Sequence, residues 1–337
     1  MCYYIYMNKI KVVSDKIKKS VFSVFKGKED VVDMILCAIF AQGHVLLEDV
    51  PGTGKTVLAK ALAKSIDMSF SRIQCTPDLM PSDITGNNIW LPAKQEFEFR
   101  KGPVMSSIVL VDELNRATPR TQSALLECMA ENQVSVDGKV HPLEKPFFVI
   151  ATENPVESEG TFPLPEAQKD RFMLSLSIGY PSVEEEIQII TAQNSLVHPV
   201  ESVCAVVTKD EIIECMEEVV KIFVDDAVLS YLISLCNWTR TDDRILAGVS
   251  PRGSLSFYKA CQAYAAIHGR DFVTPEDVKT MALPVFAYYM QKVYKDKRLG
   301  YNENAIFDLP SDYNPCKVDE SGLDDLDDGE DIEEIFE

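Results

Sequence analysis

The sequence predicts an α/β fold with a three-layer core around a mainly parallel sheet, followed by a small all-helical domain. Two observations lead to this prediction. In the first 180 residues, five short apolar runs typical of buried strands alternate with stretches of helical periodicity. Beyond Tyr180 and Pro181 the strand-like runs cease, and helix-start signals take their place.

The predicted strands are short apolar runs bounded by polar or turn residues. They cover residues 45–47, 70–73, 107–111, 147–151 and 172–178. Apolar residues spaced three and four apart predict helices over residues 15–40, 55–66 and 121–131. Strands that alternate with helices form right-handed βαβ units, and therefore a largely parallel sheet.

Two segments interrupt this alternation and are predicted to form hairpins outside the core sheet. Residues 89–100 place aromatic residues, among them Trp90 and Phe97, on either side of a polar turn. In residues 134–140, alternating valines flank an Asp-Gly pair, which is favoured in tight hairpin turns.

The region after residue 180 carries four signals for the start of a helix. Two are capping boxes and two place proline at the first helical position; the pairs are Ser182 with Glu185, Thr208 with Glu211, Ser250 with Pro251, and Thr274 with Pro275. We therefore expect an N-terminal extension over residues 1–14, an α/β core over 15–180, a helical domain over 181–297 and a tail over 298–337.

The charge of the chain is concentrated in its tail. Eleven of the nineteen residues from 319 to 337 are acidic and none is basic, so we expect this segment to be disordered. It serves either as a solubilising tail or as a docking segment. Without these acids the formal charge of −20 would still be −9, and no cluster of Lys and Arg is present. Nucleic acid is therefore an unlikely partner.

Composition also bears on location and on the cysteines. No apolar run approaches the roughly 20 residues needed to cross a bilayer, and the N-terminus lacks the pattern of a signal peptide. We expect no membrane span and a cytoplasmic location. The nine cysteines are scattered, without a CxxC pair or a His–Cys cluster, which predicts reduced and mostly buried thiols.

A glycine-rich loop follows the first predicted strand and precedes a helix. Gly52 and Gly54 allow the backbone to turn its N–H groups toward phosphate oxygens, and the helix N-terminus adds a favourable partial charge. Lys55 can reach the β and γ phosphates of ATP, and the Thr56 hydroxyl can ligate Mg²⁺. The strict pattern has glycine at position 49, where this chain has Asp49. Its carboxylate would repel phosphate unless it points away.

Two carboxylates follow the apolar run at residues 107–111. An acid at the C-terminal end of a strand beside a phosphate loop can bind the magnesium shell, and a second can orient the attacking water. We assign Asp112 to the metal and Glu113 to the water. Such a pair alone usually marks a strand that meets solvent; combined with the loop it predicts a P-loop ATPase.

Six motifs of this chain together resemble the MoxR family, a branch of the AAA+ ATPases. They are LEDVPGTGKT (47–56), TPDLMPSDITG (76–86), DELNRA (112–117), TQSALLE (121–127), FFVIATENP (147–155) and PLPEAQKDRF (163–172). The resemblance covers about residues 15–285 and implies a P-loop NTPase core followed by a helical lid domain. MoxR proteins also carry an acidic residue at the position of Asp49.

The resemblance also assigns roles by position. Asn154 matches the first sensor, Arg171 the arginine finger that reaches a neighbouring subunit, and Arg252 the second sensor on the lid. A loop cap, a surface ion pair and a helix-start residue are the structural alternatives for these three. The predicted nucleotide-binding residues are Asp49, Val50, Pro51, Gly52, Thr53, Gly54, Lys55, Thr56 and Val57.

The family further implies a homo-hexameric ring that hydrolyses ATP with Mg²⁺ and remodels or activates a client protein. A von Willebrand factor type A domain protein is the partner it implies. Two other classes of function stay open. One is a DNA-directed motor, which the acidic balance disfavours. The other is a nucleotide-dependent scaffold with little turnover, which the intact Lys55, Asp112, Glu113 and Asn154 disfavour.

Overall fold

Among the described residues, the core sheet has five parallel strands, in the spatial order Phe70–Gln74, Ile108–Asp112, Phe148–Glu153, Val45–Glu48 and Leu174–Leu176. The computed structural model describes residues 2–49, 52–154, 160–192, 198–242, 245 and 248–295, so the predicted tail lies outside the described residues. The strands are β1 Val45–Glu48, β2 Phe70–Gln74, β3 Gly86–Leu91, β4 Glu96–Lys101, β5 Ile108–Asp112, β6 Gln133–Val136, β7 Lys139–Pro142, β8 Phe148–Glu153 and β9 Leu174–Leu176. The five predicted core strands are confirmed.

Helices fill connections between the core strands and make up most of the described residues after β9. They are α1 Cys2–Phe22, α2 Glu29–Phe40, α3 Lys55–Ser65, α4 Pro81–Thr85, α5 Pro119–Glu131, α6 Glu166–Lys169, α7 Val183–Ala192, α8 Lys209–Val219, α9 Asp226–Thr241, α10 Pro251–Ile267 and α11 Pro275–Lys295. The predicted α/β core and the helical C-terminal lid are therefore present.

The core is apolar where helices meet the central strands. Leu125 and Leu126 of α5 belong to one buried cluster with Val109 of β5 and Val149 of β8. Each such fully buried side chain contributes about 1.5–3 kcal/mol relative to an exposed one. Strands buried on both faces need the near-continuous apolar runs seen in the sequence, which is why those runs located the sheet correctly.

The single helix predicted over residues 15–40 is wrong in one respect, because it is two helices. The chain turns between α1 and α2, where Gly27 has φ +75° and Lys28 has φ +60°. Two successive left-handed residues cannot continue a right-handed helix. Helix α1 also begins well before residue 15 and buries Ile10 and Val13. The domain boundaries at residues 14, 180 and 297 stay predictions.

Both predicted hairpins lie outside the core sheet, and they contact each other. Strands β3 and β4 pair in antiparallel fashion, as do β6 and β7. Asn88 of β3 donates a hydrogen bond to the Asp137 carboxylate in the second hairpin's turn, at 2.7 Å. Phe99 of β4 stacks on His141 of β7 with ring centroids 3.8 Å apart. The hairpins are thus joined at two points.

The predicted helix starts after residue 180 are confirmed. Ser182 with Glu185 and Thr208 with Glu211 exchange the reciprocal hydrogen bonds of a capping box. Ser250 caps α10, and the other proline-led helix, α11, begins at Pro275. Among the described residues, no helix is long and apolar enough to cross a membrane.

Seven cysteines from Cys37 to Cys261 are free thiols, and six of them are buried. The buried ones are Cys37, Cys75, Cys128, Cys215, Cys236 and Cys261. Burial raises the pKa of these thiols, for example that of Cys75 to about 12, so they are protonated at neutral pH. The prediction of reduced, mostly buried cysteines is confirmed for these residues.

A buried histidine joins the core sheet to the end of α5. His44 is 6% exposed, its Nδ1 accepts a hydrogen bond from the Val149 N–H at 3.1 Å, and its Nε2 lies 3.3 Å from the Met129 carbonyl. Because one ring nitrogen must accept and the other must donate, the ring is held neutral. Burial lowers the pKa of His44 to about 4, although the Met129 bond opposes the shift.

We predict that acid destabilises this protein partly through His44. The pKa of His44 in the folded chain is below its unfolded value near 6.5, so the stabilisation is complete above pH 6.5 and is lost as pH falls toward 4. The full loss is at most about 3.5 kcal/mol, since the pKa falls from 6.5 to about 4 and each pKa unit corresponds to about 1.4 kcal/mol. Urea unfolding at pH 7 and at pH 5 measures how much the free energy of unfolding falls over this part of the pH range. His44→Asn should reduce the pH dependence; the same change at the exposed His268 should not. Equal slopes for both variants would contradict the assignment.

Candidate active site

The strand order brings three chain segments to one edge of the sheet. Strand β8 lies between β1 and β5, and all three run in the same direction. Their carboxyl ends therefore meet at the edge where open α/β sheets bind ligands. The glycine-rich loop follows β1, the pair Asp112 and Glu113 ends β5, and Asn154 follows β8.

The glycine-rich loop leads directly into the N-terminus of α3. Gly52 and Gly54 have φ of +88° and +86°, a conformation that side chains with a Cβ avoid. Helix α3 begins at Lys55 and is 11 residues long, so its first N–H groups face the loop. Lys55 Nζ donates a hydrogen bond to the Asp49 carbonyl at 3.0 Å. Val50 and Pro51 lie outside the described residues.

The Asp49 carboxylate points away from the loop. It is buried, and it accepts hydrogen bonds from the Ile178 and Gly179 N–H groups and from the Ser177 hydroxyl. These donors follow β9, on the far side of β1 from β8. Asp49 thereby connects the start of the glycine-rich loop to the segment that follows β9. The repulsion of phosphate that its position suggested is avoided.

Lys55 interacts electrostatically with the acids at the end of β5. Burial lowers the pKa of Lys55, and the carboxylates of Asp49, Asp112 and Glu113 oppose that shift. A lysine responds to these charges only when they are close, because solvent screens distant ones. The loop lysine and the two carboxylates thus belong to one electrostatic site.

Polar partners on neighbouring elements hold both carboxylates. Arg72 Nε donates to Asp112 Oδ2 at 2.6 Å, and Gln74 Nε2 donates to Glu113 Oε2 at 3.0 Å. Arg116 Nε lies 3.2 Å from the same Glu113 oxygen. Glu113 itself has φ +56°, an uncommon value for a residue with a Cβ. In this conformation the Glu113 carboxylate contacts Gln74 and Arg116.

The end of β8 connects the loop to the carboxylates. The Asp49 N–H donates to the Glu153 carbonyl at 3.1 Å, and the Glu113 N–H donates to Thr152 Oγ1 at 2.9 Å. Asn115 Nδ2 donates to the carbonyl of the buried Asn154 at 3.2 Å. Thr152 and Glu153, the residues just before Asn154, therefore contact the acidic pair and the start of the loop.

A partly buried lysine neutralises two further carboxylates at this edge. Glu48 and Glu153 are register partners at the ends of β1 and β8. Lys169 Nζ lies 3.3 Å from Glu48 Oε1 and 2.9 Å from Glu153 Oε2. Burial by itself lowers the pKa of Lys169, but the two carboxylates outweigh burial, so the net pKa is raised. Lys169 is charged at neutral pH and holds the two strand ends together.

The two arginines predicted to act in catalysis lie away from this cluster of contacts. Arg171 Nη1 donates to the Leu126 carbonyl of α5 at 2.8 Å, while its buried Nε has no partner. Arg252 is exposed at the second position of α10. Within the part of the chain that the structure describes, neither forms a hydrogen bond or ion pair with Lys55, Asp112 or Glu113.

Sequence reasoning missed several polar residues that shape the site. Arg72 and Gln74 alternate along one face of β2, a spacing of two that could have flagged them as a polar edge. Thr152 lies within an otherwise apolar strand, which is a weaker signal. Lys169 gave no local signal, because its partners are more than 15 residues away along the chain.

Comparisons with known proteins agree with this geometry. Residues 44–174 match the family model of the ATPase family associated with various cellular activities (AAA), and residues 238–297 match that of the AAA lid domain. The chaperone MoxR1 of Mycobacterium tuberculosis is 39% identical over 78% of this chain and 72% of its own length. The chain belongs to the MoxR family of AAA+ ATPases.

Two further relatives support this membership. YeaC of Bacillus subtilis is 48% identical over 84% of this chain and 88% of its own length. A crystal structure of a candidate ATPase from Cytophaga hutchinsonii superposes with a TM-score of 0.76 at 40% identity, covering 84% of this chain and 87% of that one. The predicted family and fold are therefore confirmed, and the assignment of roles to single residues stays a prediction.

Proposed function

We propose that this MoxR-family chain binds Mg·ATP at the carboxyl edge of the sheet and hydrolyses it. The observation that carries the proposal is the parallel order β5-β8-β1, which brings the loop before Lys55 and the Asp112–Glu113 pair to the same carboxyl edge of the sheet. A phosphate loop and two carboxylates in this relation suit phosphoryl transfer, where catalysis consists mainly of positioning and charge stabilisation.

Each residue takes a role that its chemistry allows. The loop N–H groups and Lys55 hold the β and γ phosphates, and Asn154 orients the attacking water with Glu113. The Thr56 hydroxyl and the Asp112 carboxylate hold Mg²⁺, which neutralises phosphate charge when bound. Both would supply the hard oxygen ligands that Mg²⁺ prefers.

Both acids are held by neighbouring side chains. Asp112 is paired with Arg72, and Gln74 and Arg116 both engage Oε2 of Glu113. A carboxylate has two oxygens with about four acceptor sites, so contacts to one oxygen fix its orientation and leave capacity to accept a hydrogen bond from water. In this scheme Glu113 orients the water from the position in which Gln74 and Arg116 hold it.

We expect Lys55→Ala to abolish ATP binding and Glu113→Gln to preserve it. Glu113→Gln should lower kcat by at least about 10²-fold, since a lost general base typically costs 10²–10⁴. Phosphate release and binding of a fluorescent ATP analogue measure the two effects. Glu131→Gln, at an exposed position of α5, is the matched control and should behave as wild type. Wild-type turnover in Glu113→Gln would contradict the role of Glu113, and negligible turnover in both proteins would favour a scaffold over an enzyme.

We further propose a homo-hexameric ring in which Arg171 completes the site of a neighbouring subunit. Its contact with Leu126 of the same chain supports this, because the described residues hold Arg171 away from its own acids. A guanidinium supplied across an interface stabilises charge on the transferring phosphoryl group. Arg252 on the lid is proposed as the second arginine that senses nucleotide.

Mixing two inactive variants tests whether Arg171 acts between subunits. Arg171→Ala alone should bind ATP but lose about 10³–10⁵ in kcat, as other trans arginine fingers do. Rings that mix Arg171→Ala subunits with Glu113→Gln subunits should regain activity. In such rings, Glu113→Gln subunits still supply Arg171 to neighbouring sites that retain Glu113. Arg120→Ala, an exposed change on α5, is the control. Absence of any recovery in mixed assemblies of confirmed hexameric size would contradict the trans role.

A chaperone-like action on a client protein in the cytoplasm completes the proposal. Its structural support is the β3–β4 hairpin, where Trp90 and Phe97 are 48% and 67% exposed and pack edge to face at 5.1 Å. Exposed aromatic pairs on an excursion from the core suit contact with another protein. The relative named chaperone MoxR1 supports the same view, and a von Willebrand factor type A domain protein is the proposed partner.

We expect the hairpin to hold the client when hydrolysis is blocked. With ATP, Glu113→Gln should co-elute with the purified von Willebrand factor type A partner encoded by a neighbouring gene, together with its client. Adding Trp90→Ala and Phe97→Ala should abolish client retention while nucleotide binding is unchanged. Phe223→Ala, which removes an equally exposed aromatic ring from the lid, is the control. Retention that survives the double hairpin change would contradict the assignment.

A further inference from the structure

Three consecutive side chains, beginning with the last residue of the short helix α6, reach three different parts of the molecule. Lys169 contacts the ends of β1 and β8, and Arg171 contacts α5. Asp170, between them, contacts the helical lid. One short segment therefore touches the edge of the site, the helix that leads to the β6–β7 hairpin, and the lid.

Asp170 joins the lid through two hydroxyl groups that share one oxygen. Ser250 Oγ donates to Asp170 Oδ1 at 2.7 Å, and the Tyr289 hydroxyl donates to the same oxygen. The Ser250 N–H in turn lies 3.3 Å from the Tyr289 hydroxyl. Hydrogen bonds to an ionised acceptor are about twice as strong as neutral ones. The carboxylate thus binds α10 and α11 at a single point.

The lid side of this contact is closely packed. Ser250 is the N-cap of α10 and accepts a hydrogen bond from the Gly253 N–H at 3.0 Å. A Cβ on Gly253 would lie 2.6 Å from the Tyr289 hydroxyl, closer than packed atoms can approach. Tyr289 is itself buried. The absence of a side chain at Gly253 is what lets Tyr289 reach Asp170.

Sequence position links this contact to both predicted catalytic arginines. Arg171 is the next residue after Asp170, and Arg252 follows Ser250 by two positions at the start of α10. A rotation of the lid that kept the contact would shift the backbone of Arg171. A rotation that broke the Asp170 contact would allow Arg252 to move relative to the core.

We propose that Asp170 is a positioning residue for ATP hydrolysis, which makes the orientations of the lid and of Arg171 depend on each other. The inference rests on the proposed ATPase function. It needs no contact between Asp170 and nucleotide. Its consequence is that loosening the Asp170–Ser250–Tyr289 contact should slow turnover while leaving ATP binding at the loop intact.

The test compares Asp170→Ala and Tyr289→Phe with Tyr264→Phe in the full chain. Tyr264→Phe removes a hydroxyl from α10 without touching the contact, so it controls for general effects on the lid. We expect the first two variants to lower kcat by up to about 10²-fold, the loss typical of small misplacements far from the chemistry. KM for ATP should stay within threefold of wild type. Tyr264→Phe should retain wild-type kcat.

A double-mutant cycle separates positioning from a simple loss of stability. Because both changes break one contact, the kcat loss of Asp170→Ala combined with Tyr289→Phe should equal that of the larger single change. Hydrogen exchange should show the Gly253 amide exchanging faster in both single variants. Wild-type kcat in Tyr289→Phe, or losses that multiply in the double variant, would overturn the proposal. Absence of ATP hydrolysis by the wild type would instead overturn the proposed function on which it rests.

Discussion

The parallel pairing of β8 between β1 and β5 is the constraint on which the site depends. It places residues 152–154 within hydrogen-bonding reach of both the glycine-rich loop and the acidic pair. Because backbone hydrogen bonds inside a buried sheet are obligatory, the spacing of these groups is fixed by the same bonds that fold the core. Displacement of β8 would separate the lysine from its carboxylates even if every residue were retained.

A second constraint is the density of negative charge at an edge suited to a triphosphate. Five carboxylates lie there, and each has a partner that limits repulsion: Asp49 has backbone N–H groups, Glu48 and Glu153 share Lys169, Asp112 has Arg72, and Glu113 has Gln74 and Arg116. Uncompensated carboxylates would oppose both folding and phosphate binding. The edge is therefore acidic in sequence but largely neutralised in structure.

The same segment that supplies Lys169 extends this order to the lid. Asp170 accepts hydrogen bonds from Ser250, the N-cap of α10, and from Tyr289 of α11. Arg171 donates to the carbonyl of Leu126 in α5. Helix α5 leads directly into β6, whose hairpin contacts the β3–β4 hairpin through Asn88 and Phe99. Events at the sheet edge are thus connected by contiguous contacts to the surfaces that we propose to meet other proteins.

The sequence by itself determined the strands, the helix caps, the hairpin turns and the glycine-rich loop, because each depends on residues a few positions apart. The sequence predicted one helix where the structure has two, α1 and α2, separated by Gly27 and Lys28. The left-handed conformation of Lys28 has no local signature in the sequence. Only the tertiary structure decided that Asp49 turns toward Gly179, that Lys169 joins Glu48 to Glu153, and that Asp170 meets Tyr289. These pairs are 16 to 130 residues apart, and packing of the sheet and lid, rather than any local preference, brings them together.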